Sequence, residues 1–205
     1  MRKLALGILT CLTFFGVYAQ NNTANLQSIA IGSEIPLPDY KMEDVSNTSV
    51  SLNDVKKGNG LLVVFSCNTC PFVLGWEDRY IPLGEWTLEN NVGFILVNSN
   101  EAQRDGVDAL EKMREHAAAK KYNTYYTVDK NHELADAFGA TRTPEVFLFD
   151  AKGKLVYKGA IDDNMEDAGA VERPYLGYAL QNLLTNTPND PDATKSVGCT
   201  IKRLK

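Results

Sequence analysis

The chain has 205 residues, 44% of them hydrophobic and 23% charged, which suits one globular domain that buries its core without cross-links. Its formal net charge is -5 and no basic stripe gathers along it, so nucleic acid is not an expected partner.

Arg2 and Lys3 precede an apolar run from Leu4 to Val17, and Val17-Tyr18-Ala19 closes it with small residues at the outer and inner positions. This pattern predicts a signal peptide over 1–19, cut after Ala19. The run is too short, and too soon followed by polar Gln20-Asn21-Asn22-Thr23, for a membrane anchor. The mature chain is therefore expected to be exported, periplasmic or secreted, with no stable membrane span. Removing the signal removes Cys11 and leaves Cys67, Cys70 and Cys199. An exported compartment permits disulfides. Three thiols are odd in number, so one stays free, pairs with another molecule or exchanges partners.

Residues 20–28 read as a flexible N-terminal tail. Residues 29–39 carry Gly32, Pro36 and Pro38 and read as extended loop. Tyr40–Val45 and Thr48–Leu52 are expected to pair as a short hairpin across Ser46-Asn47. Asn53 to Gly60 reads as a link or short helix leading to Leu61–Phe65, an apolar, β-branched buried strand. Phe72 to Tyr80 predicts a helix that Pro82 interrupts, with a second helical piece from Leu83 to Asn90. Val92–Asn98 is the next buried strand. Gly106 to Lys121 predicts a helix with Val107, Leu110, Met113 and Ala117 on one apolar face. Tyr125–Val128 is a strand, and Asn131–Phe138 a short helix ended by Gly139. Thr143-Pro144 then precedes a hairpin of Glu145–Phe149 with Leu155–Gly159. Residues 161–171 are acidic and irregular, Pro174–Leu184 is a closing helix, and 187–205 is a C-terminal tail carrying Cys199. Strands alternating with helices, then a hairpin and a helix, predict an α/β domain over 29–186 with a mixed central sheet flanked by helices on both faces.

Cys67-Asn68-Thr69-Cys70-Pro71 stands where strand gives way to helix. Two residues between the sulfurs let them close a small ring. Exposed N–H groups at a helix start favour a thiolate and are expected to lower the pKa of the first cysteine. Pro71 falls in the first helical turn, where its missing N–H costs little.

The order of elements, with a CxxC after a buried strand and Thr-Pro before a hairpin and final helix, resembles the thioredoxin fold. The details are similar to the redoxin superfamily grouped with alkyl hydroperoxide reductases and thiol-specific antioxidant proteins. A peroxiredoxin-like subgroup shares Cys-Asn-Thr-Cys-Pro-Phe-Val at 67–73, Asn98-Ser99-Asn100, Thr143-Pro144-Glu145, Arg173-Pro174-Tyr175-Leu176 and Gly198-Cys199-Thr200-Ile201-Lys202. The resemblance implies a cis Thr143–Pro144 bond facing the CxxC. The backbone of Thr143 would then pair with an incoming extended polypeptide, and metal binding by the cysteines would be blocked.

The expected reaction is dithiol–disulfide exchange, with disulfide reduction as the favoured direction. Cys67, taken as the more exposed, attacks as the thiolate, and Cys70 resolves the mixed disulfide. No cofactor beyond a redox-active Cys67–Cys70 disulfide is called for, and no metal set is read. The partners are a protein or small-molecule disulfide or thiol and an electron-transfer partner. His116 and His132 lie in polar helical stretches and are expected to be solvated, as is Glu77. The strand Val63-Val64-Phe65 carries no acid, unlike thioredoxins, so the proton acceptor is open. Glu145 is a candidate, against the blander reading of an edge carboxylate in water. Cys199 is a candidate resolving thiol if its basic tail folds back, against an inert packed cysteine.

Two alternatives accompany this reading. A peroxiredoxin-type peroxidase would need Pro-x-x-x-Thr/Ser-x-x-Cys. Three residues before Cys70 stands Cys67, and no proline lies between residues 39 and 70. A copper-delivery protein on the same fold would use three residues between its cysteines and a distal histidine, for which His132 is the candidate.

Overall fold

The structure is a computed structural model that describes residues 26–204. The signal at 1–19 and most of the 20–28 tail lie outside the described residues.

The expected hairpin forms from β1 (Met42–Asp44) and β2 (Ser49–Val50), with Met42 opposite Val50. Helix α1 (Leu52–Val55) follows, capped by a reciprocal Ser51–Asp54 box. The buried strand β3 (Gly60–Phe65) leads into the cysteines and α2 (Pro71–Trp76). The break after α2 falls at a 3-10 turn over Glu77–Arg79, earlier than Pro82. Pro82 lies in the first turn of α3 (Tyr80–Glu89), where no intrahelical N–H is needed, so it starts the second helix instead of breaking the first.

β4 (Val92–Asn98) and β5 (Tyr125–Val128) run parallel, and β1 pairs antiparallel with β5, giving the order β2-β1-β5-β4. β3 pairs antiparallel with β7 (Glu145–Asp150), which pairs with β8 (Leu155–Gly159). β3 runs beside β4, and the Ser66 N–H donates to the Val97 carbonyl at 2.8 Å, so the two ladders form one mixed layer. Side chains alternate across it. Leu62, Val64, Phe94, Leu96, Val146 and Leu148 meet α2, α3, α4 (Leu110–Lys120) and α6 (Tyr175–Thr185) on one face. Leu61, Val63, Phe65, Ile95, Val97, Phe147 and Phe149 meet α1 and α5 (Glu133–Phe138) on the other. Both faces are covered, as the order of elements predicts.

α4 begins at Leu110, not Gly106. Val107 is exposed, and only Met113 and Ala117 of the expected face are buried. The reason lies at Asp108, whose fully buried carboxylate is committed to a neighbouring loop and draws the backbone away from helix. The tail drawn outside the domain also returns. Cys199–Thr200 forms β9, antiparallel to β6 (Arg142–Thr143), with Thr143 opposite Cys199. Among the described residues no helix is long and apolar enough to cross a membrane.

Candidate active site

Cys67 lies near the start of the loop that leaves β3, and Cys70 is the residue that caps α2, with Pro71 in its first turn. The loop between them is held from one side by Asp108. Its Oδ1 accepts the Asn68 backbone N–H at 2.9 Å and the Asn98 side-chain amide at 2.8 Å, and its Oδ2 accepts the Asn100 amide at 2.9 Å. Asn68 in turn donates to the Val107 carbonyl at 2.7 Å and accepts from Tyr126 Oη at 2.8 Å. Asp108, Asn68, Asn98, Asn100 and Tyr126 are all buried, so their hydrogen bonds offset a desolvation cost and hold the loop geometry. Asp108 escaped the sequence reading because it lies inside a segment with helical spacing. The signal that could have found it is the Asn98-Ser99-Asn100 stretch, whose two amides both point at it.

From the other side the pair meets Thr143. The Thr143–Pro144 bond is cis, as the resemblance implies. Cys67 Sγ lies 3.4 Å from Thr143 Oγ1, and the Cys70 thiol donates to the Thr143 carbonyl at 3.2 Å. Among the described residues all three cysteines, Cys67, Cys70 and Cys199, are free thiols.

The electrostatics differ from the expectation at both sulfurs. Cys67 is 2% exposed and Cys70 4%, so Cys67 is not the more exposed. The Cys67 thiol is pushed well above the ordinary range, first by donating to Cys70 and then by burial. Cys70 is held well below it. The Cys67 thiol contributes most, followed by the Cys199 thiol and the backbone amides of Val73 and Cys199, all against the opposing effect of burial. The helix start therefore serves the second cysteine: Cys70 is the capping residue, and Cys67 lies three residues short of the helix.

Glu145 is 7% exposed, not an edge carboxylate in water. Its Oε2 accepts the Thr141 and Arg142 backbone N–H groups at 2.7 and 2.9 Å, and burial raises its pKa. Both bonds shape the loop entering β6 and neither reaches a sulfur. Glu77 is also buried, not solvated. Its Oε2 takes His116 Nε2 at 2.7 Å and Tyr122 Oη at 3.0 Å, and the Lys120 ammonium closes on Oε1. The spacing of seven from Cys70, two helical turns, was a readable signal that Glu77 faces inward. His116 is thus paired and half-buried, and His132 is paired with Asp136 at 2.9 Å. Among the described residues no group of three or more His, Cys, Asp or Glu side chains is placed to hold a metal ion.

Cys199 is brought to the pair. It stands opposite Thr143 and packs against the cluster that holds Cys67 and Cys70, and its own pKa is pushed up to about 11, first by burial and then by the Cys70 sulfur.

The sequence profile of the Redoxin family matches residues 31–173. Among solved structures, a hypothetical protein of Sinorhizobium meliloti 1021 is 29% identical, with 87% of this chain and 97% of that chain covered and a TM-score of 0.79. An uncharacterized conserved protein of Geobacillus kaustophilus is 30% identical over 86% and 93% of the two chains, with a TM-score of 0.78. A putative thioredoxin of Neisseria meningitidis, 19% identical over 75% and 92%, has a TM-score of 0.58 and shares the fold. No curated protein matches. The fold is α/β and thioredoxin-like.

Proposed function

We propose that this chain, which belongs to the Redoxin family, is a thiol–disulfide oxidoreductase that works by dithiol exchange at Cys67 and Cys70 and runs toward disulfide reduction. The observation that carries the reading is the pair itself: two adjacent free thiols, one favoured as thiolate, beside the Thr143–Pro144 loop. On this reading the attack falls to Cys70, the residue that caps α2. Its thiolate attacks one sulfur of the substrate disulfide, forms the mixed disulfide and expels the other sulfur as a thiolate that takes a proton. Cys67 then loses its proton and attacks Cys70. A Cys67–Cys70 disulfide forms, and the second substrate sulfur leaves. Two electrons pass to the substrate, and an external dithiol must return them. Cys199, beside Cys70, serves as a third thiol that exchanges with it.

The test is turnover of a disulfide substrate, with dithiothreitol as the external donor, by wild type, Cys67→Ser and Cys70→Ser. Both variants are expected to lose turnover. Cys67→Ser should accumulate a mixed disulfide on Cys70. Accumulation on Cys67 in Cys70→Ser instead would reverse the assigned order, and wild-type rates in both would remove the mechanism.

Peroxide reduction is a second reading, and one observation favours it: the stabilised thiolate stands on a single sulfur, Cys70, with a second thiol beside it. The Cys70 thiolate would displace alkoxide or hydroxide from the peroxide and become a sulfenic acid, which Cys67 condenses to the disulfide with loss of water. Consumption of hydrogen peroxide faster than disulfide reduction at equal concentrations would favour it. Export through the 1–19 signal belongs to the proposal as well; a secreted or periplasmic product beginning at Gln20 is the expected outcome.

A further inference from the structure

The edge of β6, where an extended polypeptide would reach the dithiol, is already filled. β9 lies on it antiparallel, Thr143 opposite Cys199 and Arg142 opposite Thr200. The Ile201 N–H extends the pairing to the Thr141 carbonyl at 3.1 Å. Gly198 is pressed against the loop: a Cβ there would stand 2.2 Å from the Thr143 carbonyl oxygen, so no larger residue fits. Cys199 meets Cys70. Ile201 is 5% exposed and packs in the core cluster that holds Phe138 and Ala140. Arg203 donates to Asp136 at 2.7 Å and to the Ala140 carbonyl at 2.6 Å. The chain arriving at β9 is a polar loop, residues 186–196, outside regular secondary structure.

We infer that residues 197–203 are an internal stand-in for substrate, resting on the dithiol-exchange reading, and that the substrate is a polypeptide strand of the same pattern. The stand-in reads, in order, a glycine against the Thr143 carbonyl, the cysteine that meets Cys70, an apolar side chain two residues later and a basic one two beyond that. A partner is recognised by backbone pairing with β6, by a small residue just before its cysteine, and by the apolar and basic positions that follow. It binds only after the tail has left, because both occupy one edge. Neither sulfur of the pair is more than 4% exposed while the tail is seated.

The experiment uses the full chain. The substrate is the peptide Val-Gly-Cys-Thr-Ile-Lys-Arg as its glutathione mixed disulfide, and the control peptide has valine in place of glycine. Gly198→Val in the protein drives the tail off, and Cys199 with it, without substituting Cys67, Cys70 or Thr143. For a tail seated about nine-tenths of the time, its release should raise kcat/KM for the glycine peptide about tenfold. In that variant the glycine peptide should react about tenfold faster than the valine peptide, while cystine, which makes no strand contacts, serves as the sequence-blind reference. Arg203→Ala, which removes an anchor without a clash, should give a smaller rise in the same direction, together with faster hydrogen exchange at the Ile201 amide. That second variant decides the matter if Gly198→Val fails to fold. Unchanged or lower rates in a folded variant with an exchanging tail, or equal rates for the two peptides, would overturn the inference. Undiminished reduction by Gly198→Val combined with Cys70→Ser would instead overturn the dithiol reading beneath it.

Discussion

Two segments bring thiols to the same place and are held there in different ways. The 67–70 loop is clamped by Asp108, Asn68, Asn98 and Asn100, all buried, through hydrogen bonds that water cannot replace while the fold is intact. The 197–203 tail is held by one two-residue ladder, a few further backbone bonds to Thr141, Asn100 and Ala102, one buried isoleucine and an arginine near the surface. The two meet at Asn100, whose side-chain amide donates to Asp108 while its Oδ1 accepts the Lys202 N–H at 2.8 Å. Of two adjacent thiol carriers, one is built to stay and the other to be separable.

The largest effect should come from breaking the clamp. Asp108→Ala orphans three buried donors, and each costs roughly 1–3 kcal/mol, so a loss on the order of 4 kcal/mol in unfolding free energy is expected from urea titration. A loss below about 1 kcal/mol would mean that the clamp does not fix the loop.

Next comes the contrast in acidity. An ordinary thiol with a pKa near 8.5 loses roughly 80-fold of its thiolate between pH 8 and pH 6. Cys70, whose folded pKa is lowered, keeps its thiolate across that window and should lose it only as pH falls through the lowered value. Cys199, raised to about 11, should gain reactivity as pH climbs through 8 to 10. Site-resolved alkylation followed by mass spectrometry measures both profiles. Parallel profiles at the two sites would erase the contrast.

Glu145 is a smaller lever on the edge that both segments share. Glu145→Ala leaves the Thr141 and Arg142 amides without their acceptor and should cost about 2 kcal/mol. Glu145→Gln keeps an acceptor oxygen there and should recover most of that loss, whereas a proton-transfer role would show as a pH-dependent loss of rate in the glutamine variant. Arg203→Ala should be the mildest, at most about 1 kcal/mol of global stability, because its ion pair with Asp136 is partly exposed.

Much of the frame was legible in the sequence because it rests on local patterns. The apolar runs at 61–65, 92–98 and 145–149 became β3, β4 and β7, and Gly139, with φ 62°, ends α5 as its place predicts. The CxxC and the Thr143–Pro144 loop were legible as well. What escaped depends on long-range contacts. Asp108 sits in a segment with helical spacing, and only its three distant amide partners explain why the backbone is not helix there. Glu77 reads as solvated until His116, Lys120 and Tyr122 close around it. The placement of the two cysteines against the helix depends on the loop between them: Cys67 reads as the one nearer the helix start, while the cap falls on Cys70. The tail could be guessed to return from its cysteine, but its register against Thr143 could not.

The central claim is a reversible two-electron couple between Cys67 and Cys70. Equilibrating the full chain in thiol–disulfide buffers of graded potential, quenching with acid and mapping the bridges by mass spectrometry tests it directly. The account predicts one Cys67–Cys70 bridge that forms and opens reversibly over a single two-electron transition, with a minor Cys70–Cys199 isomer through the third thiol. A Cys67–Cys70 bridge absent at every potential, with both thiols free or oxidised only to sulfur acids, would contradict it.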